Sequence, residues 1–275
     1  MQVKLLSVVL GAEIDGINLR DTPAKNFEVI NNLLLEHKVL FFRNQNITSE
    51  EQIALAKCFA PLERNAYVKC RDKYPEIVRI IKGANKKHQW GETWHIDVSY
   101  NVEPTKPIVL RLIKIPSVGG DSMFSNMELA WDTLDEKIKD KIKNKKALRS
   151  SLGAAAFLDN YKKMKGNGNI DEYSNERHIL KIYPETRKKI LFVNSMYVKK
   201  IIDMDKEESD EILSKVFAHQ ERLDFTCRCQ WTENAVAIWD NRSVIHQGLT
   251  DFFPGRGLGY ERIMDRIAIE GDRPN

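Results

Sequence analysis

Hydrophobic residues occur along the chain in short clusters whose spacing alternates between the periods of strands and helices. Compact or alternating apolar runs indicate strands, and apolar residues three and four positions apart indicate helices. The runs predict strands at 3–10, 39–42, 77–81, 94–97, 108–115, 121–125, 189–193, 224–231, 235–239 and 262–269. The helical spacing predicts helices at 27–35, 49–60, twice within 127–146, and at 206–222. This order predicts a mainly β fold of the α+β class, with a β-sandwich or jelly-roll core and flanking helices.

One long stretch, residues 152–177, has neither period, and its centre reads KKMKGNGN. Long segments of this kind are surface loops or mobile lids over a site, and the sequence leaves both interpretations open. No linker rich in Pro, Gly or Ser divides the chain. We therefore predict a single domain over residues 1–275, with a lid or variable insert at about 152–177.

Composition argues against several classes of protein. The chain is 42% hydrophobic and 30% charged, as in ordinary globular proteins, and its net charge of +4 comes with scattered lysines that indicate no nucleic-acid surface. It has no apolar run of about 18 residues, so no membrane span is predicted, and its first residues do not form a signal peptide. The four cysteines lack zinc-site spacing, and Cys227 and Cys229 alternate like inward strand positions. These features predict a cytoplasmic protein.

The first candidate for chemistry is Trp94-His95-Ile96-Asp97. In an extended chain His95 and Asp97 point to the same face, where they supply two members of the facial triad that binds non-haem Fe(II). The alternative is a chance H-x-D pattern. His246 follows the strand at 235–239 and is the candidate third ligand, because jelly rolls bring distant strands together. A loop histidine without a special role remains the alternative.

Two arginines, Arg262 and Arg266, fall on one face of the last predicted strand. If this face points inward, the buried guanidinium groups need an anionic partner, and a carboxylate or a sulfonate would suit them. If it points outward, both are solvated. The sequence leaves both possibilities open.

Taken together, these segments resemble the Fe(II)/2-oxoglutarate-dependent taurine dioxygenase family. The family's motifs occur in its order over nearly the whole chain, as Trp94-His-x-Asp97, Pro116-Ser-x-Gly-Gly-Asp-Ser122, Leu191-Phe-Val-Asn194, Trp239-Asp-Asn-Arg-x-x-x-His246 and Arg262-Ile-Met-x-Arg266. The resemblance implies a double-stranded β-helix, which is a variant of the jelly roll. It also implies an enzyme that hydroxylates a C–H bond of a small anionic substrate with release of succinate and CO2, and a homodimer or homotetramer.

The resemblance also implies a set of ligands. Fe(II) would bind His95, Asp97 and His246 and leave positions for 2-oxoglutarate, the co-substrate, and for O2. Halogenating relatives lack the carboxylate, so the presence of Asp97 implies oxygenation or desaturation. Ser122 and Arg262 would hold the far carboxylate of 2-oxoglutarate.

The substrate side of the resemblance is less complete. Arg266 matches an arginine that also reaches the substrate anion, and Tyr197 matches an aromatic residue of the substrate pocket. Asn65 and Tyr67 stand near the place where taurine-using members carry a His and a Tyr. The family's Asn before the Trp-His pair is absent, and Asp265 replaces its His between the arginines. We therefore predict a pocket with Asn65, Tyr67, Val98, Tyr197 and Arg266, for a sulfonate, sulfate ester or carboxylate rather than taurine.

Two other functions could use the same residues. One is a non-catalytic barrel that binds a ligand in the same cleft, although a complete triad disfavours it. The other is a zinc isomerase or hydrolase with the same three ligands, which leaves the paired arginines unexplained.

Overall fold

The computed structural model describes residues 1–21, 25–63, 70–83, 91–101, 105–153, 173–252 and 260–271. The strands are β1 (Gln2–Leu5), β2 (Ala12–Asp15), β3 (Val39–Phe42), β4 (Cys70–Arg71), β5 (Tyr74–Lys82), β6 (Pro107–Lys114), β7 (Ser122–Asn126), β8 (Lys146–Ser150), β9 (Ser174–His178), β10 (Leu180–Ile182), β11 (Lys189–Leu191), β12 (Val198–Ile201), β13 (Thr226–Cys229), β14 (Val236–Asp240), β15 (Val244–Gly248) and β16 (Arg262–Ala268). The helices are α1 (Phe27–His37), α2 (Ser49–Lys57), α3 (Met127–Asp132), α4 (Glu136–Ile142) and α5 (Lys206–Gln220).

Two facing sheets form a jelly-roll core with flanking helices, as the strand pattern predicts. The larger sheet has eight strands in the order β1-β2-β3-β14-β6-β16-β5-β4, and the smaller has the order β13-β7-β15. Strand β3 is buried on both faces. Its Val39 and Phe41 pack between the sheets with Phe124 of β7, whereas Leu40 and Phe42 pack beneath α1 and α2. Two-sided burial explains why these strands are continuous apolar runs in the sequence.

Most of the predicted elements are confirmed with shifted ends, and the short polar strands are the main omissions. Helix α2 begins with the capping box that its sequence spacing indicates: the Thr48 hydroxyl accepts from the Glu51 amide at 3.2 Å, and the Glu51 carboxylate accepts from the Thr48 amide at 2.7 Å. Cys227 and Cys229 are buried free thiols, as predicted. The strands that the pattern misses are β2, β4, β8, β9, β10, β12 and β15.

Of the predicted insert at 152–177, residues 154–172 lie outside the described residues, and residues 174–177 belong to β9 rather than to a loop. No helix in the described part of the chain is long and apolar enough to cross a membrane.

Strand β16 has a buried ionic cluster on its helix-facing side. The Asp265 carboxylate is fully buried there and accepts from Arg79 through both oxygens, at 2.8 and 2.9 Å. Arg71 donates to the same carboxylate at 3.1 Å, and Arg111 donates at 3.3 Å. Because these arginines come from β4, β5 and β6, the single carboxylate of Asp265 links β16 to three other strands.

Replacing Asp265 with alanine is expected to lower the free energy of unfolding by about 3 kcal/mol, because three arginines lose their shared carboxylate. Equilibrium unfolding in urea measures the change. The matched control is Asp224→Ala, because that carboxylate pairs with Arg222 at the surface and its side chain is 70% exposed. The control should cost less than about 1 kcal/mol. Equal losses in the two variants would contradict a structural role for the cluster.

Candidate active site

The segment around His95 is held by a single bridge to β15 and then turns. The His95 amide donates to the His246 carbonyl at 3.0 Å, and the His246 amide donates back at 2.9 Å. The predicted strand at 94–97 is therefore wrong, because residues 97–100 form a turn and Val98 has φ 43°. The side chain of Asn241 makes hydrogen bonds with the backbone here of the kind that a neighbouring strand would make. It accepts from the Asp97 amide at 2.9 Å and donates to the carbonyls of Asp97 and Thr105 at 3.1 and 3.2 Å.

His95, Asp97 and His246 converge on one point in the interior. One donor atom from each lies within 4.8 Å of the other two, and all three residues are buried. His95 Nε2 is 3.4 Å from Asp97 Oδ1, and His246 Nε2 is 3.8 Å from Asp97 Oδ2. His95 Nδ1 donates to the Thr93 carbonyl at 2.7 Å, which orients the ring so that Nε2 faces the carboxylate. His246 itself lies within β15 rather than in a loop.

The electrostatics of this cluster match the donor set of a divalent metal. Burial, together with the nearby His95 and Arg266, lowers the pKa of His246 well below its ordinary value, so its imidazole is neutral at pH 7. Burial alone would raise the pKa of Asp97, but Arg266 and the two histidines lower it overall, so the carboxylate is charged. Two imidazoles and one carboxylate fit Fe(II) with coordination positions left open.

A second polar group, formed by Arg262 and Ser122, lies in the same cavity. Arg262 Nη2 donates to the Ser122 hydroxyl at 3.0 Å, and Trp231 Nε1 donates to the same oxygen at 3.0 Å. The Ser122 proton therefore remains available for an acceptor. Arg262 is buried, its Nε has no hydrogen-bond partner, and no carboxylate of the described residues forms a salt bridge with it. This is the arrangement expected where an anion binds.

Arg266, four positions further along β16, points to the metal-ligand end instead. Its Nε donates to Asp97 Oδ2 at 3.0 Å. Both arginines are therefore on the inward face that the sequence left undecided, and Asp265 between them is on the opposite face.

The predicted pocket residues are only partly within the described chain. Val98 and Tyr197 belong to one small buried cluster with Tyr100 and Met196, and the rings of Tyr100 and Tyr197 meet edge to face at 5.1 Å. Burial, with a contribution from the Asp97 carboxylate, raises the pKa of Tyr197. The two other predictions, at positions 65 and 67, lie outside the described residues.

One cavity joins the polar groups. Its lining includes His95, Asp97, Ser122, His246, Arg262 and Arg266, together with apolar side chains. The cavity lining also includes Lys82. The sequence did not indicate a role for Lys82, because this residue simply ends the apolar run of β5 and belongs to no recognisable motif. Asn241 was likewise missed, although it lies in the motif that precedes His246.

The chain is similar to a family of dioxygenases over nearly its whole length. The family described as "Taurine catabolism dioxygenase TauD, TfdA family" matches residues 2–267. An alkylsulfatase of Acinetobacter baylyi is 29% identical over 99% of this chain and 86% of its own. A (S)-phenoxypropionate/alpha-ketoglutarate-dioxygenase of Sphingobium herbicidovorans is 28% identical over 97% of this chain and 94% of its own. A taurine dioxygenase structure from Burkholderia xenovorans is 28% identical, with a TM-score of 0.82 over 98% of this chain and 91% of that chain.

Replacing His246 with alanine should weaken binding of Fe(II) or Mn(II) by more than about 100-fold, because even changes to groups that only support metal ligands cost 10–100-fold. Anaerobic calorimetric titration measures the affinity. His178→Ala is the matched control, since this histidine is exposed on β9. If the two variants bound metal equally well, His246 would not be a ligand.

Proposed function

The chain belongs to the taurine dioxygenase (TauD/TfdA) family, and from this we propose that it is an Fe(II)- and 2-oxoglutarate-dependent dioxygenase that hydroxylates a C–H bond of a small organic anion. The observation that carries the proposal is a single cavity with three metal-ligand side chains at one end and, at the other, a buried arginine that forms no salt bridge with the described residues. That arrangement suits a dicarboxylate that binds the metal through one end and the arginine through the other.

In this proposal His95, Asp97 and His246 hold Fe(II), and the far carboxylate of 2-oxoglutarate binds Arg262 and Ser122. The bound iron supplies O2 activation, coupled to decarboxylation of 2-oxoglutarate to succinate and CO2.

The remaining work of the protein is orientation and exclusion of water. Arg266 keeps Asp97 ionised and fixes the direction of its carboxylate through the 3.0 Å hydrogen bond. Phe124 and Trp239 surround His246, with ring centroids at 5.9 and 4.8 Å. Leu110 and Met264 complete an apolar lining. A dry, preorganised cavity strengthens the electrostatic interactions within it.

The substrate is proposed to have an anionic group and an apolar body. Arg266 is the cation nearest to the metal ligands, and the cluster of Val98 and Tyr197 offers an apolar and aromatic surface. Relatives are named for sulfonates, sulfate esters and phenoxypropionate, all of which carry an anionic group. Asn65 in place of the family's His argues against taurine. We also propose a lid or variable insert within 152–177, ahead of strand β9, and a cytoplasmic homodimer or homotetramer as the working form.

Anaerobic addition of 2-oxoglutarate to the Fe(II)-loaded protein should produce a visible metal-to-ligand charge-transfer band. Arg262→Met should raise the Kd from this titration by about 10–100-fold, because a charge-assisted hydrogen bond inside the protein is lost. A folded wild-type protein that binds Fe(II) but gives no band would rule out the proposed function.

A panel of sulfonates, sulfate esters and carboxylates, scored by substrate-dependent succinate formation, should identify at least one coupled substrate that is better than taurine. Asp97→Ala is the control and should abolish coupled turnover. A ligand-binding barrel without catalysis would give the band but no succinate, and a zinc enzyme would retain activity without Fe(II). If taurine were by far the best substrate, our interpretation of Asn65 would be wrong.

A further inference from the structure

Besides Arg262 and Arg266, the cavity contains a further buried cation that the proposed mechanism does not use. Lys82, the last residue of β5, is only 2% exposed. It is the direct cross-strand partner of Arg262 on β16, so the two residues share a register position. Both side chains line the same cavity. Lysine is rarely buried to this extent without a paired charge.

The described contacts of Lys82 do not compensate its charge. Its ammonium donates to the Gly248 carbonyl at 3.4 Å, and no carboxylate of the described residues forms a salt bridge with it. Burial, together with the neighbouring Arg262, lowers the pKa of Lys82 to about 7, and the smaller influence of the Glu92 carboxylate opposes this shift. A buried ammonium that lacks a counter-ion is expected to behave in this way.

Gly248 marks the point where the two cations converge. A methyl group built at Gly248 would lie 2.8 Å from Lys82 Nζ and 3.2 Å from Arg262 Nη1. Both cationic groups therefore approach one position at the end of β15, and the absence of a side chain there keeps the space around them open. His246 lies two residues earlier on the same strand, which connects this position directly to the metal-ligand end of the cavity.

We propose that Lys82 is a second cation for the far carboxylate of 2-oxoglutarate and acts together with Arg262 and Ser122; this inference rests on the proposed function. One carboxylate has two oxygens and about four lone-pair sites, so it can accept from all three groups at once. Lys82 is then a specificity-determining residue, because it favours 2-oxo acids that carry a distal carboxylate over those that end in a methyl group.

The test compares two co-substrates in two variants. Lys82→Met removes the charge and keeps the length of the side chain. Lys114→Met is the matched control, because Lys114 lies on β6, on the other side of β16, is 57% exposed and pairs with Glu261 at the surface. The Fe(II)-loaded proteins are titrated anaerobically with 2-oxoglutarate and with 2-oxovalerate, which has the same carbon chain without the distal carboxylate.

Lys82→Met should raise the Kd for 2-oxoglutarate by about 10-fold or more. The Kd of the same variant for 2-oxovalerate should stay within about twofold of wild type. For Lys114→Met, the Kd values for both 2-oxo acids should stay within about twofold of wild type. An unchanged Kd for 2-oxoglutarate overturns the role of Lys82 and leaves the proposed function intact. Equal weakening of both 2-oxo acids also overturns it, because that indicates a structural effect. Failure of wild-type protein to bind 2-oxoglutarate overturns the proposed function itself. Lys82→Gln provides the same comparison if Lys82→Met does not fold.

Discussion

The structure depends on one constraint, which is that charges buried in a sheet need partners of opposite charge. Strand β16 lies inside the eight-stranded sheet and carries ionised side chains on both faces. On the helix-facing side, Asp265 is shared by three arginines. On the cavity side, Arg266 is paired with Asp97. Arg262 is the exception, since within the described residues it forms no salt bridge, and the Asp121 and Asp251 carboxylates whose charges reach it are paired with Arg228. This imbalance marks the place where a ligand should supply the missing charge.

The same charge balance accounts for the class of molecule that the cavity should bind. Asp97 and Arg266 cancel one another, so a bound divalent metal would leave the cavity positive, and Arg262 and Lys82 would increase that excess. A dianionic co-substrate such as 2-oxoglutarate would offset part of this charge. The remainder favours an anionic substrate. The preference for anions then follows from the whole cavity rather than from one dedicated residue.

The sequence predicted the parts of the molecule whose signals are local. The apolar period of α1, the capping box of α2 and the continuous apolar run of β3 each depend on neighbouring residues. The three metal-ligand candidates could also be identified, because they occur in short motifs. Lys82 could not, since its burial depends on β16 and β15, which are distant in sequence. The short polar strand β9 was missed for the same reason, because only its pairing with β8 makes it a strand.

The error at 94–97 shows how the fold uses a strained turn to serve the site. In a continued strand, residues 97 and 98 would point to opposite faces. Instead the chain turns after Asp97, and Val98 adopts the left-handed region, which is unfavourable for a β-branched residue and costs about 1–3 kcal/mol. Two hydrogen bonds between the Asn241 side chain and the Asp97 backbone hold the turn in place, and a third joins Asn241 to the Thr105 carbonyl. As a result Asp97 faces the two histidines, while Val98 packs with Tyr197.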